Sequence, residues 1–264
     1  MIPKISSAQA AYLRKQKQQK WFVKFSQLFI LIFFLTIWEL SVNANLIDGF
    51  IFSSPSRICK TFYSMCVDGS FFLHLGTTLA EVFVSFTLII GIGYAIAVLL
   101  WFFPNLSKIL EPYFVVLNSL PKSALAPLLI VWLGATPTTI IVAGMSVALF
   151  GSIMNLYTTF RGIDEELLKL IYTLGGNKFH ALTKVVIPSS IPEIISNMKV
   201  NIGLCLVGVV IGEFLAARNG LGYLIIYSSQ VFKLDWLLMS ICILCIIAMG
   251  LYALIGALEK RYKS

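Results

Sequence analysis

Charge is scarce in this sequence. Asp, Glu, Lys and Arg make up only 12% of its 264 residues, about half the share found in an ordinary soluble domain. Histidine occurs twice, and five cysteines are too few and too dispersed to form a disulfide framework. No GxxxxGK(S/T) phosphate loop, no HExxH and no Ser-centred GxSxG is present, which excludes a Walker-type ATP site and the common hydrolase centres. Acids near or inside apolar runs are scattered, at Glu39, Glu81 and Glu213, and give little support to a proton-driven device. Cys242 and Cys245 have metal-like spacing, but His74 and His180 are remote in sequence and nothing completes a set of four ligands. Together with Cys205 they read as small hydrophobes inside apolar runs. Whether Cys59 and Cys66 pair is open at this level.

What the chain has in abundance is apolar surface, at 58% of residues. Twelve acids and twenty bases cannot cover a globule of this size with polar groups, so a single soluble core is excluded. The remaining class is an all-α integral membrane protein. A polar, basic arm covers residues 1–24, and the rest, 25–264, reads as a transmembrane domain. The first apolar run, Phe25 to Val42, precedes a loose cleavage-site resemblance at Val42-Asn43-Ala44. Its length and the long leading arm favour a retained helix over a cleaved leader.

Further spans are expected at about 77–103, 113–133, 137–160, 193–217 and 236–258, six in all. Lys108 and Glu111 fall in a short link before the third. Pro121-Lys122-Ser123 and Pro127 interrupt that third span. A capping box, Ser190-Ile191-Pro192-Glu193, is expected to open the fifth. Basic residues cluster at the flanks of these runs, which reads as topology and excludes a nucleic-acid-binding face. With the N-terminus inside, fourteen lysines and arginines lie on the inner segments against four outside. Both termini and the 161–192 segment are therefore expected in the cytoplasm.

That segment is the one long polar stretch between apolar runs. Ile163, Leu167, Leu170, Ile171 and Leu174 recur at helical spacing. Asp164, Glu165 and Glu166 occupy the first turn, where carboxylates suit the helix dipole, and Glu165 can pair with Lys169. Gly175-Gly176 ends the helix, Asn177 caps a second, and Pro188 is expected to stop that one. From these residues alone, a loop resting on lipid and a knob docking into a partner fit equally well.

The segment resembles the cytoplasmic loop of the membrane subunits of binding-protein-dependent ABC importers. Gly175 takes the place of that signature's glycine, and Val185-Val186-Ile187-Pro188 follows at its nine-residue spacing. Lys169-Leu170-Ile171 stands where the family has Glu-Ala-Ala, so Asp164, Glu165 or Glu166 would have to replace the family's Glu. Similar permeases also carry counterparts of Glu111-Pro112, Trp132-Leu133-Gly134, Gly212-Glu213-Phe214 and Gly220-Leu221-Gly222-Tyr223-Leu224. The likeness covers about residues 70–260 and is strongest to the nitrate/sulfonate/taurine branch, whose members import small organic anions or vitamin precursors such as thiamine pyrimidines.

The resemblance implies an inner-membrane permease of a bacterium, forming the path for a small anionic or vitamin-precursor nutrient. It implies a second permease copy as a homodimer, two P-loop ATPase subunits and an extracytoplasmic solute-binding protein. The chain would be no enzyme and bind no cofactor, with ATP and Mg at the partner ATPase. The docking set would be Asp164, Glu165, Glu166, Lys169, Tyr172, Gly175, Gly176, Phe179, His180 and Pro188. Pro121, Lys122 and Glu213 are candidates for the path or its gate. The rival reading is a self-sufficient carrier or channel, and a third is a scaffold without a pathway.

For single residues the bland readings are kept beside these. Lys122 and Lys199 are expected to snorkel to the surface, and Glu213 either gates, contacts the binding protein or reaches interfacial water. Asn155, Asn197 and Asn201 are expected as glue between helices. Gly208-xxx-Gly212 is expected to pack within the bundle.

Overall fold

The structure is a computed structural model describing residues 7–263; Lys4 of the arm and Ser264 lie outside the described residues. Among the described residues every regular element is helical. The chain divides into two compact units, 1–61 and 62–264.

In the first unit, α1 runs from Ser7 to Asn43 without a break at residue 24, so the basic arm and the first span share one helix. From Arg14 onward it is apolar enough to cross a membrane, and none of its apolar window is buried, as expected of a helix whose solvent is lipid. Asp48 caps the short α2 (Gly49–Phe52) by accepting from the Phe50 amide. Ser53 takes a positive φ at the turn, and α3 (Pro55–Val67) follows. Glu39 of α1 accepts from the amide and hydroxyl of Ser56 and fixes the start of α3.

The second unit has four long helices among its described residues. α4 (Ser70–Phe102) begins seven residues earlier than hydropathy indicates, because Asp68 accepts from both the amide and hydroxyl of Ser70. The segment from Pro104 is helical throughout, so Lys108 and Glu111 lie in α5 (Pro104–Ser119) and not in a link. Only the first proline signal breaks this span. Leu120 precedes Pro121 and is extended (ψ 138°), as the pyrrolidine ring requires of its neighbour. α6 (Lys122–Leu133) then leaves at 96° to α5. Pro127 stays inside α6 and costs one backbone bond without ending the helix.

Gly134 (φ +75°) turns the chain into α7 (Pro137–Arg161). After α8 (Glu165–Thr173) and α9 (Lys178–Ala181), a π turn at Leu182–Val186 leads into α10 (Ile187–Ala216). The stretch from Lys178 to Ala216 is one apolar 39-residue helix, so Pro188 does not stop it. The π turn closes with Ile187 N donating to Leu182 O, and the missing Pro188 N–H falls where the ladder changes register. No helix begins at Ser190, and the expected capping box is absent; Ser190 is fully buried inside α10. α11 (Leu221–Gln230) and α12 (Leu234–Lys263) complete the chain. Among the described residues five helices are long and apolar enough to cross a membrane, six if the bent α5–α6 pair is one span.

α7 and α10 approach at small residues. A Cβ on Gly208 would come within 2.8 Å of the Gly144 Cα, and one on Gly212 within 3.0 Å of the Ile140 Cα. The GxxxG is therefore an internal seam, which lets dispersion contacts replace the hydrophobic drive that lipid removes. One core cluster gathers Val82, Ile89, Ile140, Ala148, Ile202 and Val209; a second gathers Ala97, Leu100, Ile153, Leu156, Phe160, Leu182 and Val186. Lys199 does not snorkel. It forms an ion pair with Glu259 of α12, with both side chains mostly buried, and lies over the Tyr252 ring.

Candidate functional site

The 161–192 loop is built around a helix, α8, with no buried residue. Asp164 is its N-cap and accepts from the Glu166 amide, while Glu165 and Glu166 fill the first turn. The Glu165–Lys169 pair forms at 3.7 Å but is well exposed and contributes little. Gly175, at φ +80°, gives its N–H to Tyr172 O, and Gly176 gives its own to Ile171 O. These two bonds are those of a Schellman stop. Asn177 then accepts from the His180 amide while its own amide donates to His180 Nδ1, so His180 completes a capping box for α9.

No residue of α8 is buried. The face predicted from spacing is divided: Ile163 packs on the core beside Leu168, which the periodicity left out. Leu167, Leu170 and Leu174 point away from it, the last 74% exposed, and Tyr172 and Phe179 are exposed as well. The loop therefore presents an apolar knob with a carboxylate rim, larger than a solvated loop needs.

Beside the loop, α7 and α10 share a polar seam. Ser152 Oγ accepts from Asn197 Nδ2 (3.0 Å) and Asn201 Nδ2 (2.8 Å), and Asn155 Nδ2 approaches Asn197 Oδ1 at 3.4 Å. Asn197 and Asn201 are the expected interhelical glue. Asn155 is exposed and opens onto a cavity of about 290 Å³. Thr158 and Thr159 of α7, with Glu193, Ser196 and Asn197 of α10, form its polar wall, and Val200 an apolar one. Its lining offers hydroxyls, amides and one carboxylate, and no lysine or arginine.

The three residues singled out for the path are not brought together. Pro121 is the exposed N-cap residue of α6. Lys122 reaches back to Leu117 O at 2.6 Å, with its ammonium 5.9 Å from the Phe150 ring centroid. It neutralises the carbonyl end of α5 at the 96° break, a role neither predicted reading covered.

Glu213 does not reach interfacial water. It is 1% exposed, accepts from Thr78 Oγ1 (2.6 Å) and from the Gly222 amide (2.5 Å), and lies against the carboxyl of Glu81. Thr78 Oγ1 in turn accepts from the Leu221 amide, and His74 Nδ1 accepts from the Gly220 amide. Two acids that look scattered in sequence are thus neighbours, and Glu213 with Thr78 and His74 holds the N-terminus of α11. Thr78 and His74 carry no motif, and α11 itself was not predicted. The signal available was the rarity of any carboxylate within a span.

Among the described residues no group of three His, Cys, Asp or Glu side chains comes together to hold a metal ion. Cys59, Cys66, Cys205 and Cys245 are unbridged thiols. Cys59 and Cys66 are seven residues apart on α3, about 10 Å along a helix axis, too far for a disulfide.

A family profile described as the inner-membrane component of binding-protein-dependent transport systems matches residues 88–264. The riboflavin transport system permease of Chloroflexus aurantiacus is 29% identical over 230 residues, which is 87% of this chain and 86% of that one. The taurine transport system permease of Escherichia coli is 22% identical over 233 residues, 86% of this chain and 84% of that one. Among solved structures, a chain of the inward-facing methionine ABC transporter MetNI aligns with a TM-score of 0.63 at 17% identity. The alignment covers 71% of this chain and 94% of that chain.

Proposed function

From its place in the binding-protein-dependent transport inner-membrane component family, to which this chain belongs, we propose that it couples to its ATPase through the 163–187 loop. The chain is the permease subunit of an ABC transporter, a multi-pass inner-membrane protein without catalysis of its own. That membership sets aside the self-sufficient carrier and the scaffold. An ATPase and a solute-binding protein are its partners; two ATPase copies, a second copy of this chain and cytoplasmic termini with the 1–24 arm belong to the proposal.

The observation that carries it is the unburied α8. Leu167, Leu170, Leu174, Tyr172 and Phe179 leave an apolar surface uncovered at the junction of α7 and α10. A surface of this kind invites a groove on a protein partner. Asp164, Glu165 and Glu166, unengaged with the core, supply the acidic contacts in place of the family's Glu. ATP-driven closure of the partner dimer would press on α8, and the helices on either side would rearrange around the solute path.

The cargo on this reading is a small organic solute of the anionic or vitamin-precursor class. The cavity between α7 and α10 favours the second of these. Amides and hydroxyls can satisfy a hydrogen-bonding heterocycle, whereas a sulfonate would meet Glu193 with no cation in the lining. Gentle extraction from the host should recover a P-loop ATPase in stoichiometric amount. Proteoliposomes of that complex with its binding protein should take up riboflavin in preference to taurine when ATP is supplied. Recovery of the chain alone would sink the docking assignment, and ATP-driven uptake of taurine alone would sink the cargo assignment.

A further inference from the structure

The second half of the loop is rooted more deeply than the first, which touches the core only through the partly buried Ile163 and Leu168. α8 has no buried residue, but just beyond Gly175-Gly176 the chain re-enters the core at Ala181, Leu182 and Val186, exposed by 0%, 3% and 0%. Leu182 and Val186 pack in one cluster with Ala97 and Leu100 of α4 and with Leu156 and Phe160 of α7. The residue at the boundary is Lys178, the first of α9. Its ammonium donates to the carbonyl oxygen of Phe102, the last residue of α4. It also lies 5.6 Å from the centroid of the Trp101 ring and 5.7 Å from that of Phe102.

The Phe102 carbonyl is one of those that a helix end leaves without an internal partner. Phe103 leaves helical geometry (φ −120°, ψ 83°), so the ladder does not continue into α5. A cation at this position meets the negative end of the α4 dipole, an unpaired carbonyl and the faces of two aromatic rings. The contact is therefore polar and directional, unlike the apolar packing beneath it.

Resting on the docking assignment above, we propose that Lys178 is the positioning residue through which displacement of α8 reaches α4. Gly175 and Gly176 close the end of α8 with two backbone bonds and lead directly to α9, the Asn177–His180 box fixes the first turn of α9, and Lys178 ties that turn to the end of α4. A partner pressing on the knob then moves α4 with the loop, in addition to α10, which the loop continues directly.

Hydrogen exchange on the complex of the full chain with its co-purified ATPase separates the steps. Amides of α8 report docking, and amides of residues 99–103 report the end of α4. With MgATP and vanadate, exchange at 99–103 should slow roughly tenfold in the wild-type chain, the weight of one charge-assisted hydrogen bond. In Lys178→Met the protection of α8 should persist while the nucleotide-dependent change at 99–103 is lost. Lys178→Arg, which can still donate and stack, should restore it. A purely structural role would raise exchange at 99–103 equally with and without nucleotide, and that result overturns the proposal. So does a nucleotide-dependent change that survives in Lys178→Met, or a wild-type chain that shows none. Loss of α8 protection in Lys178→Met alone would make Lys178 a docking residue and equally overturn it. Absence of α8 protection in the wild-type complex is a different failure, that of the docking assignment, and takes the proposal with it.

Discussion

Glu213 Oε2 accepts from the backbone amide of Gly222 at 2.5 Å, and the same carboxylate occupies the space that a side chain at 222 would need. A Cβ on Gly222 would lie 2.6 Å from Oε2, and one on Gly220 would meet Oε1. Gly220 is further restricted by its φ of +117°. The Gly-Leu-Gly sequence after α10 is thus the complement of a buried carboxylate held at a helix N-terminus, where backbone amides favour negative charge.

Gly222→Ala should lower stability by about 1–3 kcal/mol, the usual cost of forcing atoms into a filled site. Gly203→Ala, on the same α10 and with nothing within 4 Å of its added carbon, should be neutral or stabilising by up to about 1 kcal/mol. Thermal unfolding of the two variants in one detergent gives the comparison; equal midpoints would contradict the packing described for Glu213.

Lys199 and Glu259 hold α10 to α12. Lys199→Met or Glu259→Gln should each cost on the order of 2 kcal/mol, since either removes one half of a mostly buried ion pair. The exchanged pair Lys199→Glu with Glu259→Lys should regain at least half of that. A double-mutant cycle read by thermal unfolding measures it, and additive single effects would mean the pair is not coupled.

At Gly175 the obstacle to substitution is the backbone. A Cβ there meets nothing within 4 Å, but φ is +80°. Gly175→Asn should keep ATPase co-purification near the wild-type level, while Gly175→Val pays about 1–2 kcal/mol for the left-handed conformation and should weaken it. Leu170→Asp and Leu174→Asp should abolish it while membrane insertion is unchanged. Retention of the ATPase by both aspartate variants would contradict the docking face.

Asn155 is the exposed member of the polar seam. Asn155→Leu should reduce uptake about tenfold, the effect of one lost hydrogen bond of around 1.4 kcal/mol in the path, and leave ATP hydrolysis near wild type. Uptake and hydrolysis assayed on one preparation check this, and a parallel fall in both would place Asn155 in the coupling instead.

The spans were legible because lipid acts on hydropathy alone: the ends of α7 and the break at Pro121 fall where the sequence puts them. The Schellman stop at Gly175-Gly176 and the Asn177 cap were legible too, since both are local chemistry. What the sequence hid was pairing at a distance. Glu81 beside Glu213, and Lys199 with Glu259, depend on how helices rotate about their axes, which a near-uniform apolar surface does not encode. Pro188 misled for a related reason. A proline ends a helix only when packing on both sides does not hold it, and Leu182 and Val186 are locked in the core. The amphipathic face of α8 was half right because the core claims Leu168, one position from the predicted stripe.

The π turn at Leu182–Val186 sets the angular phase between the docking knob and everything above it. A π turn is an α-helix carrying one extra residue, so removal of a single residue from this stretch would swing the preceding segment by about 100° and draw it in by only about 1.5 Å. The knob would then face a different azimuth, while the seam of Ser152, Asn197 and Asn201 stayed as it is. These five residues thus act as an indexing joint: if α8 docks as proposed, they decide which way the permease looks at its motor, independently of what it carries.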